Sequence, residues 1–292
     1  MNKNKVRIGG ASAFYGDSQL SARQLVEKGE IDYLVFDYLA EVTMAILSQA
    51  KAKNEKLGYA VDFITVAMRD VLQDCAQKGI KVIANAGGVN VPACIESLNA
   101  LCAQLNLNLN IVGVYGDNLL NDMRNETLAE TNTHDLDNGN ELPNALASMN
   151  AYLGAQPIAD ALATGADIVI TGRVVDSALV LGPLMHEFSW SYDDYNALAQ
   201  GSLAGHLLEC GAQCTGGNFT DWEQVPDFSD MSYPIAEVEP SGEFTIMIPP
   251  NTGGLVTTFT VAEQLLYEIG DPANYLLPDV CCDFTLVSLE QM

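Results

Sequence analysis

The stretch Asp167-Ile-Val-Ile-Thr-Gly-Arg-Val-Val-Asp176 decides how this chain reads. Its apolar run is too short for a helix and is closed by a glycine turn, as in a strand buried on both faces of a sheet. Its exit is polar and carries an arginine. Working outward, the same texture recurs upstream in Val6-Arg-Ile-Gly9, Asp32-Tyr-Leu-Val-Phe36, Lys81-Val-Ile-Ala84 and Asn110-Ile-Val-Gly-Val-Tyr115. Between these runs the spacing predicts helices near residues 18–28, 40–56, 61–78, 91–105 and 156–164. Short strands alternating with such helices specify βαβ units and a mainly parallel sheet. An α/β fold with a doubly wound sheet is expected. A (β/α) barrel portion is the alternative, because polar strand ends suit it equally.

The rhythm breaks twice. Residues 118–150 are polar and Asn-rich, which reads as a long surface loop. Beyond about residue 211 glycine pairs, prolines and β-rich stretches such as Glu243-Phe-Thr-Ile-Met-Ile248 take over, with one helix near 261–269. The expected organisation is an α/β domain over 1–215 and a smaller Gly- and β-rich part over 216–292. The ending, Asp283-Phe-Thr-Leu-Val-Ser-Leu-Glu-Gln-Met292, reads as the opening of another element, so the chain is expected to belong to a longer protein.

Charge excludes whole classes of function. The chain carries 13 Lys+Arg against 38 Asp+Glu, a net of −25. The bases crowd into residues 1–82, and beyond them stand only Arg124 and Arg173. Nucleic acids and anionic membranes need Lys and Arg to neutralise phosphate, so neither is an expected partner. No apolar run approaches the ~20 residues that span a bilayer. The basic start lacks an apolar segment behind it, and seven cysteines without framework spacing suit reduced thiols. A cytoplasmic protein is expected.

In parallel α/β sheets ligands gather at the carboxyl ends of the strands. Here those ends run into Gly9-Gly-Ala-Ser-Ala-Phe-Tyr-Gly-Asp17, Asp37-Tyr-Leu-Ala-Glu41, Asn85-Ala-Gly87-Gly88, Gly116-Asp-Asn118 and Thr171-Gly-Arg173. Each is also ordinary turn chemistry. Arg173 is the most pointed: directly after a buried strand, it suits a carboxylate- or phosphate-sized anion, or an ion pair with Asp176. In Gly205-His206-Leu-Leu-Glu209-Cys210, helical spacing sets imidazole, carboxylate and thiol on adjoining surface. That pattern fits an activated thiol, acid–base chemistry or metal ligation; a capped core helix with a buried Cys accounts for it as well. Thr215-Gly-Gly-Asn218 and Asn251-Thr-Gly253-Gly254 are either loops or backbone anion nests. The expected substrate contacts are therefore Arg173, Asp17, Asn85, Gly87, Gly88, Asn218, Gly253 and Gly254. The expected acid–base or nucleophilic groups are Asp176, His206, Glu209 and Cys210. The spacings of dinucleotide, P-loop, zinc-protease and serine-hydrolase motifs are missing, so no NAD, ATP or metal is signalled.

Together these residues resemble a family. Thr171-Gly-Arg-Val-Val-Asp-Ser-Ala-Leu-Val-Leu-Gly-Pro183, Leu203-Ala-Gly-His-Leu-Leu-Glu-Cys-Gly211, Thr215-Gly-Gly-Asn-Phe-Thr-Asp-Trp222, Tyr233-Pro-Ile-Ala-Glu-Val238, Gly253-Gly-Leu-Val-Thr257 and Ala262-Glu-Gln-Leu-Leu-Tyr-Glu-Ile-Gly-Asp-Pro272 look like the acyclic terpene utilisation family. Asp32–Glu41 and Ala84–Gly88 fit it too. The resemblance implies a part in breaking down citronellol- and geraniol-type terpenes through CoA thioesters. It implies an anionic isoprenoid or branched-chain acid, or its CoA thioester, as substrate, with the CoA moiety as the one cofactor-like group. The other class it allows is a non-catalytic subunit or ligand-binding module that assists an acyl-CoA carboxylase-type enzyme. A homo-oligomer, or an acyl-CoA enzyme of the pathway, is the expected macromolecular partner. The family implies no defined reaction and no agreed catalytic residues.

Overall fold

The computed structural model describes residues 4–120, 134–136, 138–143 and 145–292. Five short apolar runs form parallel strands: β1 (Val6–Gly10), β2 (Tyr33–Phe36), β3 (Lys81–Ala84), β4 (Ile111–Val114) and β5 (Ile168–Thr171). Two more, β6 (Ile235–Val238) and β7 (Phe244–Met247), return antiparallel, and the sheet order is β4-β5-β3-β2-β1-β6-β7. Register is tight: Leu34 stands opposite Val82, Ile83 opposite Val169, and Arg7 opposite Glu237. The sheet is open, with β4 and β7 at its edges, so the barrel alternative does not hold.

Both faces are covered, which is why the strands are apolar throughout rather than alternating. Leu34, Phe36, Val82, Ala84, Ile168 and Ile170 face one helical layer; Tyr33, Val35, Ile83 and Val169 face the other. The first layer holds α1 (Ser21–Lys28), α2 (Glu41–Lys53), α3 (Arg69–Lys78) and α4 (Val91–Gln104). The second holds α5 (Gln156–Ala163), α6 (Ala178–Phe188) and α7 (Tyr195–Glu209). Handedness explains the division. From β1 to β4 the chain steps one way across the sheet, so right-handed crossovers put every helix on one face. At β4→β5 it steps back, and the same rule puts α5 on the other.

The helix expected over 61–78 opens with a π-helical turn, Phe63–Met68, before α3. Phe63 sets its ring edge-on against Phe36, 5.3 Å between centroids. The helix expected near 261–269 runs from Thr258 to Leu266 (α8), started earlier by a capping box between Thr257 and Thr260. Helices α6 and α7 occupy a stretch for which the sequence pattern gives no helix bounds. Within the expected 118–150 loop, residues 121–133, 137 and 144, Arg124 among them, lie outside the described residues.

The Gly- and β-rich part is laid onto the α/β body. Its strands β6 and β7 extend the sheet beside β1. A two-stranded ribbon, β8 (Tyr275–Leu276) with β9 (Cys281–Cys282), packs against α7, and Asp279 accepts the Ala155 N–H at the start of α5 (2.9 Å). Among the described residues no helix is long and apolar enough to cross a membrane.

Candidate functional site

Strands β3 and β5 are neighbours, yet α4 leaves β3 toward one face and α6 leaves β5 toward the other. Their diverging exits open a crevice at the carboxyl edge, the switch point where α/β sheets bind ligands. The two exit loops are stitched at the bottom by Gly87, whose N–H donates to the Thr171 carbonyl (3.1 Å). A Cβ at Gly87 would sit 2.5 Å from that oxygen, so a glycine is required for the loops to touch.

Arg173 is set rigidly in this crevice, with its side chain only 5% exposed. Its backbone N–H donates to Asp117 Oδ2 (2.8 Å), which Asn150 also engages. Its guanidinium lies 4.2 Å from the centroid of the Tyr152 ring, and Nη1 donates to the Leu39 carbonyl. Tyr152 in turn donates its hydroxyl to Glu41 (2.8 Å). Asp176 Oδ1 stands 3.4 Å from Nη1, an ion pair without good hydrogen-bond geometry.

From β2 comes Asp37, a buried carboxyl whose Oδ1 accepts from Asn85 Nδ2 (2.7 Å). Asn85 accepts the Tyr38 N–H with its other end, so it orients the β2 exit. From α7 come His206 and Glu209. Gly205 lets the helix approach, since a Cβ there would meet the Ser177 backbone at 2.6 Å. His206 Nε2 faces the carbonyls of Gln264 and Leu265 at 3.0 and 3.3 Å, and carbonyls only accept, so Nε2 carries a proton. Nδ1 lies 2.9 Å from Glu209 Oε1, and a second proton is shared across that contact.

Electrostatics ties these groups into one cluster. Burial raises Asp176 to about 7, helped by Glu209, Glu268 and Glu41 and opposed by Arg173. Burial, then the charge of Asp176, lifts Asp37 well above the ordinary carboxylate range, against the Asn85 hydrogen bond. Glu209 is raised by burial despite its bond to His206. The imidazole loses charge stability through burial, but Glu209 and the two carbonyls outweigh this and raise it. Crowding and burial thus favour the protonated form of all three carboxyls, the direction of shift found where acid–base groups are at work.

The remaining expected residues fall differently. Cys210 is pushed up to about 12 by burial and by Glu209, and the imidazole is turned away to Glu209, so the thiol keeps its proton. Asp17 fastens its own loop, accepting from Ala13 N (2.9 Å), Ser18 N (2.7 Å) and Tyr233 Oη (2.9 Å). The Gly253 and Gly254 amides donate to Asp230 O and Ser232 Oγ, both at 2.7 Å, so neither points outward as a nest. Gly88, at φ +52°, packs its turn against Leu47, and Asn218 lies exposed on a turn. The contacts thus gather Arg173, Asp176, Glu209 and His206, with Asn85 and Gly87 beneath them. They do not bring Asn218, Gly253 or Gly254 to that group. Asp37, Glu41 and Tyr152 belong to it as well, outside the set of expected site residues. For Asp37 and Glu41 the strand-end position is a signal; for Tyr152, inside polar sequence, there is none. Among the described residues no group of three or more His, Cys, Asp or Glu is placed to hold a metal. A cavity of about 220 Å³, lined by Ser48, Lys51, Val89 and Asn118, adjoins the β3 and β4 exits.

Fold and contacts define a doubly wound α/β protein with a buried arginine among carboxyls at its switch point. The family model for the acyclic terpene utilisation family protein AtuA matches residues 6–292, and the chain belongs to that family. No curated protein matches it, and no solved structure does.

Proposed function

We propose that this chain is an enzyme of acyclic-terpene or related branched-acid breakdown that works by acid–base chemistry on a carboxylate or its CoA thioester. One observation carries the reading: a buried arginine stands 3.4 Å from the Asp176 carboxyl, which burial raises to about 7, at the carboxyl end of the sheet. Arg173 offers a charge-assisted contact to a carboxylate or thioester-derived oxyanion. Asp176 and the Glu209–His206 pair deliver or remove protons, and burial together with the charge of Asp176 keeps the neighbouring Asp37 protonated. The cavity beside the β3 and β4 exits leaves room for the body of the substrate. Incubating the protein in D2O with geranate, citronellate and their CoA thioesters tests this by mass spectrometry. Deuterium wash-in or a new product, lost in Arg173→Ala and Asp176→Asn, is the expected result. Neither exchange, turnover nor binding with any of the four would overturn it.

A further inference from the structure

We propose that Asp176 is the resident counter-ion of Arg173: an incoming carboxylate replaces it on the guanidinium, and Asp176 retains a proton taken up with the ligand. This deepens the reading of the crevice as an anion site and rests on it.

Every other contact of Arg173 is fixed. The Tyr152 ring covers one face, the Leu39 carbonyl takes Nη1, and Asp117 holds the backbone N–H. Asp176 is the loose partner. Its side chain is 32% exposed, its Oδ1 accepts no hydrogen bond among the described residues, and its 3.4 Å approach is an ion pair only. It therefore has the least to lose on displacement and a path to the outside.

Charge decides what must accompany the exchange. Facing Asp176 are Arg173 from its own loop, Glu209 from α7, Glu268 beyond α8, Glu41 at the start of α2 and Asp37 beyond β2, with Tyr275 of β8 also near. One cation already answers several carboxyls. A further anion beside it leaves an ionised Asp176 without its partner in a low-dielectric crevice, and protonation removes that penalty. Glu209 does not substitute, because its oxygen is engaged with His206 Nδ1. The step balances as one ligand carboxylate plus one proton entering, with a single O–H bond formed on Asp176 and nothing released. The resulting carboxylic acid then stands beside the bound ligand as a proton donor.

Isovalerate, a short branched carboxylate, is titrated calorimetrically into wild type, Asp176→Asn and Arg173→Ala between about pH 6 and 8.5, in buffers of different ionisation enthalpy. Wild type is expected to take up few protons at pH 6 and nearly one at pH 8. Its affinity should fall up to about tenfold per pH unit above neutrality. Asp176→Asn should bind without proton uptake, nearly independent of pH, and about tenfold tighter than wild type at pH 8. Wild-type binding with no uptake at pH 8, or an unchanged pH slope in Asp176→Asn, overturns the exchange and leaves the anion site standing. Folded wild type and Asp176→Asn that both fail to bind, or Arg173→Ala that binds as wild type does, overturn the anion site together with the exchange.

Discussion

Asp37 shows how a single carboxyl can work against the fold that holds it. Its folded-state affinity for a proton lies well above that of an unfolded aspartate, because of burial and the neighbouring Asp176. Between the two values the native state binds the proton and the unfolded chain does not, so stability is greatest at low pH and falls as pH rises through the folded value. Asp37→Asn keeps an acceptor for Asn85 and removes the charge. Its melting temperature should exceed wild type at pH 8, exceed it by less at pH 5, and match it only below about pH 4; equal melting curves at pH 5 and pH 8 would show that folding does not raise Asp37. The cysteines give a second check. Cys281 is exposed, whereas Cys210 is raised to about 12. Iodoacetamide at pH 7.5, followed by peptide mass spectrometry, should label Cys281 first and Cys210 slowly, since only thiolate reacts. Faster labelling of Cys210 would restore it as a nucleophile. At this scale Arg173 was legible because a lone base after an apolar strand has few ordinary explanations. Asp37 was legible only as a strand-end acid; its burial was not, because nothing local separates it from an ordinary turn acid. Nor was Tyr152, whose role depends on a chain return that no local pattern encodes.

At the scale of elements, the five parallel strands and the helices between them were readable because a strand buried on both faces leaves a continuous apolar signature. The antiparallel return of β6 and β7 was harder: the residues of β7 are only half-buried, and the surrounding glycines and prolines read as loop. What brings the site together is the close passage of α7 beneath the β5 exit. Gly205 makes that possible, with the Ser177 backbone 2.6 Å from where its Cβ would be. Gly205→Ala should cost about 1–3 kcal/mol, as overpacking does, and lower the melting temperature by several degrees. It should also push Glu209 away from Asp176, so the acid limb of any pH–rate profile should shift downward. A variant with wild-type melting would mean that the helix slides at no cost.

For the whole molecule, repulsion among 38 acids outweighs what 13 bases can answer. The ion pairs of Arg23 with Asp70 and Asp74, and of Arg7 with Glu237, are partly exposed and worth at most about 1 kcal/mol each, and that of Lys5 with Glu237 is open to solvent. Screening should therefore help more than it harms. Scanning calorimetry from about 10 mM to 500 mM sodium chloride should show a rising melting temperature, and a falling one would mean that the ion pairs outweigh the repulsion. The pairing of Arg7 with Glu237 has another consequence, in time rather than in energy. Roughly 10–50 s of synthesis separates the two residues at ~5–20 residues per second. Throughout that interval the outer edge of β1 has no neighbour, and an open strand edge templates pairing between chains. A nascent chain halted before Ile235 should therefore remain bound to chaperones on the ribosome, and release should come only after Val238 has emerged.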